Sequence, residues 1–207
     1  RDLPVGGAAG PDRLAAQGER KSVTDCTQAA AQARNPSVVL KRLPDGAPIL
    51  IRPIRADDKR MLENGLRHLS AESVQRRFLT PKSSFSRAEL RYLTEVDGRD
   101  HVALVAEYPA EPVRRLIAVA RFVRLADDPE AAEVAIVVAD DWQRRRLGST
   151  LAELLAARAR GLGIRRFTAT IGADNEPAHK LMRRLSDHLE RHHAGHGVDD
   201  VVMDLAA

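Results

Sequence analysis

Two short apolar runs, Val38, Val39, Leu40 and Ile49, Leu50, Ile51, bracket Pro44, Asp45 and Gly46. Apolar runs on either side of an Asp-Gly step predict a β-hairpin. The period then changes. Met61, Leu62, Leu66 and Leu69 follow Asp57 and Asp58 at helical spacing. Gly65 interrupts that helix, at a cost of about 1 kcal/mol relative to alanine. A second short helix is expected from Ser70 to Phe78, with Pro81 closing it. Ser86 and Glu89 form a capping box for a third, running through Leu93. Strand-like runs come next, over residues 101–107, 116–125 and 133–139, with Pro109 and Pro112 marking the loop between the first two. Leu151, Leu154, Leu155 and Ala159 line one face of a helix over residues 149–160, and Gly161 and Gly163 end it. A strand over 165–171 leads to a helix over 176–185, with Asn175 as its cap and Pro177 in its first turn. A hairpin over 187–192 and 198–205, turning at Ala194 and Gly195, completes the pattern.

This order predicts an α/β (α+β) layer structure on a mixed sheet of about seven strands. Residues 1–36 show no convincing apolar period and are expected to form a disordered tail, leaving 37–207 as one domain. Composition sharpens the picture only in places. Aromatics make up 3% of the chain against 43% hydrophobic residues, so the core must be aliphatic. Cys26 is the only cysteine, which excludes an intrachain disulfide and agrees with a reducing compartment. No apolar run approaches the roughly 18 residues of a membrane span, and no signal-peptide core is visible, so a cytoplasmic protein is expected. The net charge of +4 is too small, and stacking aromatics too scarce, for a nucleic-acid binder. The abundance of arginine over lysine reads as base-composition bias, except where arginines cluster.

They cluster between 133 and 150. There an apolar strand runs through Gln143, Arg144, Arg145 and Arg146 straight into a helix. A helix start presents unpaired N–H groups and about half a positive charge. Three guanidiniums beside it, and Gly148 for close approach, make an anion site suited to a pyrophosphate. The plainer alternative is a solvated basic turn.

Gln143, Arg146 and Gly148 resemble motif A of the GNAT superfamily, Q/R-x-x-G-x-G/A. Arg146 stands where the first family glycine usually sits, and its Cβ restricts φ. Asn175, Glu176, Pro177, Ala178 and Leu181 resemble the family's motif B, and Ile51, Arg52, Pro53, Ile54, Asp57 and Asp58 its opening strand and helix. Leu69 to Ser73 with Arg76, Arg77 and Phe78 is similar to bacterial protein lysine acetyltransferases. The resemblance implies the GNAT fold and transfer of an acetyl group from acetyl-CoA to a primary amine, a protein lysine in that subset. It implies CoA contacts from Val137, Val138, Gln143, Arg144, Arg145, Arg146, Gly148, Ser149 and Asn175, and Glu133 as general base. The acid tyrosine of many members is replaced by Met182.

Two rivals stay open: an acyl-CoA sensor without turnover, suggested by Arg146 and Met182, and an enzyme acting on a small-molecule amine. His188, His192, His193 and His196 are too loosely spaced to predict a metal site. The expected state is a monomer or homodimer without nucleic-acid or membrane partners.

Overall fold

The computed structural model describes residues 38–109 and 115–205. The expected tail, Cys26 and Pro112 lie outside them. Eight strands form a single sheet in the order β1-β2-β3-β4-β5-β6-β8-β7. They are β1 Val39–Arg42, β2 Pro48–Pro53, β3 His101–Tyr108, β4 Arg115–Arg124, β5 Ala131–Val138, β6 Arg166–Gly172, β7 Leu189–Gly195 and β8 Val198–Asp204. Among the described residues the α-helices are α1 Lys59–Arg67, α2 Ala71–Phe78, α3 Arg87–Thr94, α4 Leu147–Gly161 and α5 Glu176–Leu185. The expected mixed sheet of about seven strands has eight, with one of the two expected hairpins at each edge.

Strand alternation sorts the core into two layers. Val102, Leu104 and Ala106 of β3 pack with Leu147, Leu151, Leu155 and Ala159 of α4. Ala103 and Val105, on the opposite face, pack with Leu62 of α1 and Leu90 of α3. On β5 the even-numbered Ala132 and Val134 join the α4 layer, so Glu133, Ala135 and Val137 face the layer of α1, α2 and α3.

Two local expectations change. The final hairpin turns at His196 and Gly197, not at Ala194 and Gly195. Both turn residues have positive φ, 52° and 73°, the pattern that matches a two-residue loop to strand twist. Asp58 also does more than open a helix. It grips Arg52 through two hydrogen bonds of 2.7 Å and accepts the Arg55 N–H at 2.8 Å. Glu107 of β3 completes this triad, and all three side chains are buried. Burial alone would push the Asp58 carboxyl up, but Arg52 and the Arg55 N–H hold it below its ordinary value.

Candidate active site

The parallel pairing of β5 with β6 stops at Glu133 and Thr168, while β5 stays paired with β4 as far as Val138. The sheet therefore opens on one side of β5. Strand geometry decides which backbone groups line the opening. Ala139 donates to Ile117 on the β4 side. Alternation then turns the N–H groups of Val137 and Ala135 toward β4, and those of Ile136 and Val138 toward the opening. Val138 thus presents its backbone there, whereas Val137 offers only a side chain, and that on the opposite layer. Ile136 shares the orientation of Val138, which periodicity does not reveal, since it shows which way side chains point but not which edge loses its partner.

Beyond β5 a short 3-10 turn, Asp140–Trp142, leads through Gln143 into α4. Arg144 and Arg146 both adopt left-handed conformations, at φ 60° and 65°. Arg146 is the N-cap of α4. The restricted arginine therefore takes up a glycine-like backbone, at a cost of about 1–2 kcal/mol. Among the described residues, no hydrogen bond occupies the backbone N–H groups of residues 144–149; the first such bond in α4 runs from Thr150 N–H to Arg146 C=O. Consecutive free N–H groups of this kind make an anion-binding concavity.

The three arginines separate in role. Arg145 pairs with Asp45 at 2.5 Å and lies 4.1 Å over the buried Trp142 ring, which withdraws its charge from the turn. Arg144 and Arg146 are exposed and have no ion-pair partner among the described residues. Gln143 spends its side-chain amide inside the protein, donating to Ser73 Oγ at 3.0 Å and Val138 C=O at 3.1 Å. Asp140 accepts from Ser70 N–H, Ser70 Oγ and Ser73 Oγ at 2.6–2.8 Å. These bonds clamp the start of α2 to the turn. Burial pushes the Asp140 carboxyl up, yet the Ser73 and Ser70 donors bring it below its ordinary value.

Gly148 and Ser149 lie half-buried in the first turn of α4. Asn175 is buried, and its side chain caps α5 by accepting the Ala178 N–H at 3.3 Å. Met182 is buried in the α4 layer.

Glu133 is exposed and has no hydrogen-bond or ion-pair partner among the described residues. On the same side of the sheet lies a cavity of about 70 Å³ between β4, β5 and the three short helices. Ala135, Val137, Phe78, Arg77 and Arg121 contribute to its wall. Arg76 instead pairs with Glu72 one turn back. Burial lowers the Arg77 guanidinium below its ordinary value, with the Glu133 carboxylate pulling the other way. Burial, then Arg77, brings Arg121 down to about 10, opposed by Tyr92. His101 is brought down to about 4 by burial and then by Arg121, with Asp97 opposing.

No group of three or more His, Cys, Asp or Glu side chains that could hold a metal occurs among the described residues. His193 instead pairs with Asp199 at 3.1 Å, alongside Arg191. No helix among those residues is long and apolar enough to cross a membrane.

Residues 68–186 match the model of the acetyltransferase (GNAT) family. The chain is 40% identical over 136 residues to acetyltransferase Pat of Mycolicibacterium smegmatis, a match covering 65% of this chain and 40% of that one. The GNAT domain of S. lividans PAT superposes with a TM-score of 0.72 at 31% identity, over 81% of this chain and 97% of that one. The spermidine N-acetyltransferase of Vibrio cholerae, solved with CoA and spermine, shares the fold at a TM-score of 0.59 and 16% identity, over 76% and 95% of the two chains.

Proposed function

The chain belongs to the acetyltransferase (GNAT) family, and from that premise we propose that it is an acyl-CoA-dependent N-acetyltransferase whose domain spans residues 37–207. The observation that carries the reading is the run of unbonded N–H groups at 144–149, set where the sheet opens beside a free carboxylate. Acetyl-CoA supplies an acetyl group already activated as a thioester. The N–H groups of 144–149, with the exposed guanidiniums of Arg144 and Arg146, hold its pyrophosphate. Ile136 and Val138 offer N–H groups along the opening, as an added strand would require, and one of them can polarise the carbonyl.

Glu133 is the general base. An acceptor lysine is protonated at neutral pH, with a pKa near about 10.4, and must lose a proton before it attacks. Glu133 takes that proton directly or through a water. The amine nitrogen then bonds to the carbonyl carbon, the C–S bond breaks with its electron pair leaving on sulfur, and the nitrogen loses its remaining extra proton to the thiolate or to water. Met182 cannot donate a proton to the thiolate, which departs unassisted; its pKa is close to that of cysteine, about 8.5.

A protein lysine is the acceptor we favour. Residues 69–78 resemble those of protein-modifying members, and the scarcity of aromatics argues against an aromatic-lined small-molecule pocket. The match spans 40% of the length of the M. smegmatis relative, so substrate choice rests on the residues of this chain. Of the two residues that favour the sensor reading, Arg146 takes up the glycine-like backbone of the turn, which leaves Met182.

Glu133→Gln tests the proposal. Turnover should fall at neutral pH with little change in acetyl-CoA affinity, and alkaline pH should partly restore it. Wild-type turnover by the variant across about pH 6 to 9 would place the base elsewhere.

A further inference from the structure

The wall of the cavity on the Glu133 side of the sheet contains two guanidiniums that have no ion-pair partner among the described residues. Arg52, Arg115, Arg124, Arg145, Arg166 and Arg191 each hold a carboxylate at ion-pair distance. Arg77 and Arg121 do not. Arg121 is 6% exposed, and its hydrogen bonds run from Nη1 alone, to Leu93 C=O at 3.3 Å and His101 Nε2 at 3.2 Å. Both partners are neutral, because burial and Arg121 keep His101 unprotonated at neutral pH. Arg77 has no hydrogen bond or ion pair among the described residues and rests 5.0 Å over the Phe78 ring. The Glu133 carboxylate acts on Arg77 from beyond ion-pair distance.

The rest of the wall is apolar, including Leu66, Phe85, Leu93 and Leu116. Two like charges facing one apolar volume, Arg121 buried and Arg77 half-buried, are costly unless an anion joins them. A guanidinium fork fits a carboxylate with two parallel bonds, and desolvation strengthens both. The cavity is several times the minimum that admits one water molecule, which leaves room for a small planar group. The same cavity reaches Val137 and Ala139 at the end of β5, where the sheet has opened.

We propose that Arg77 and Arg121 form a subsite for one small carboxylate that a substrate carries into this cavity. The proposal rests on the acetyltransferase reading and narrows its substrate class. The carboxylate can arrive in two ways. It can end the acyl chain of a dicarboxylic thioester such as succinyl-CoA, or it can belong to the acceptor, as a glutamate beside the target lysine.

The test uses the full chain and two matched pairs of probes. Succinyl-CoA is compared with butyryl-CoA, and a lysine peptide with a neighbouring glutamate is compared with its glutamine counterpart. Calorimetry measures binding, and thiol detection measures transfer separately. One pair should favour the carboxylate by about tenfold or more, as expected for a charge-assisted fork. Arg77→Gln should bring that pair to parity. Arg121→Lys, which keeps the charge but loses the fork, should reduce the preference and provides a second variant if the first misfolds. Equal binding within both pairs overturns the subsite, as does a preference that survives in a folded variant. Thiol release from acetyl-CoA without any carboxylate preference leaves the transferase standing and removes the subsite. A preference without thiol release does the reverse.

Discussion

Gly148→Ala should stabilise the free protein and weaken CoA binding. Gly148 is the second residue of α4, and its φ is not in the left-handed region. A Cβ built there would meet Val138 Cγ2 at 3.6 Å and Leu181 Cδ2 at 4.0 Å, which are ordinary contacts. The fold alone therefore gives no reason for a glycine. Alanine in a helix is favoured by about 0.5–1 kcal/mol, with the smaller figure suited to a first turn. For a domain of this size each kcal/mol moves the melting point by about 2–4 °C, so Tm should rise by about 1–2 °C. The same methyl group enters the space between Val138 and Leu181, beside N–H groups that have no acceptor. CoA affinity should drop at least about tenfold, or 1.4 kcal/mol, and further in Gly148→Val. Thermal unfolding without ligand and calorimetric titration with CoA read the two signs independently. An unchanged Kd would refute the placement of CoA. A lowered Tm in the free protein would show that the glycine serves the fold.

Arg146→Gly should raise Tm, since glycine removes a left-handed cost of about 1 kcal/mol, while CoA binding weakens and loses part of its salt dependence with one guanidinium gone; a lower Tm counts against this. Arg52→Met leaves Asp58 and Glu107 buried without their cation and should cost about 3–5 kcal/mol in urea unfolding, with a loss below about 1 kcal/mol contradicting the triad's role. His101 has a folded pKa of about 4 against about 6.5 unfolded. The unfolded chain binds the extra proton between those values, so the histidine's contribution is complete above pH 6.5 and declines as pH falls toward 4. Its size is on the order of 3 kcal/mol. His101→Gln should flatten the stability profile in that window, and an unchanged slope would show that another group titrates there.

The helices and strands were legible in the sequence because their signals are local. The apolar periods of α1 and α4, the Ser86–Glu89 box and the Asn175 cap all act within a few residues, and each appears as expected. The strand–basic-turn–helix order around Gly148 was legible for the same reason. Tertiary pairing decided the rest. Only the divergence of β6 from β5 after Glu133 determines that Ile136 and Val138 face the opening while Val137 does not. Only the approach of Asp45 and Trp142 withdraws Arg145, leaving Arg144 and Arg146 to the turn. Arg77 stands out in the sequence only through the resemblance of its segment, and Arg121 does not stand out at all, until β4 and α2 enclose the same cavity. A side chain's period follows from its neighbours in the chain, but its charge partners and its loss of water depend on segments far away, and those no local pattern encodes.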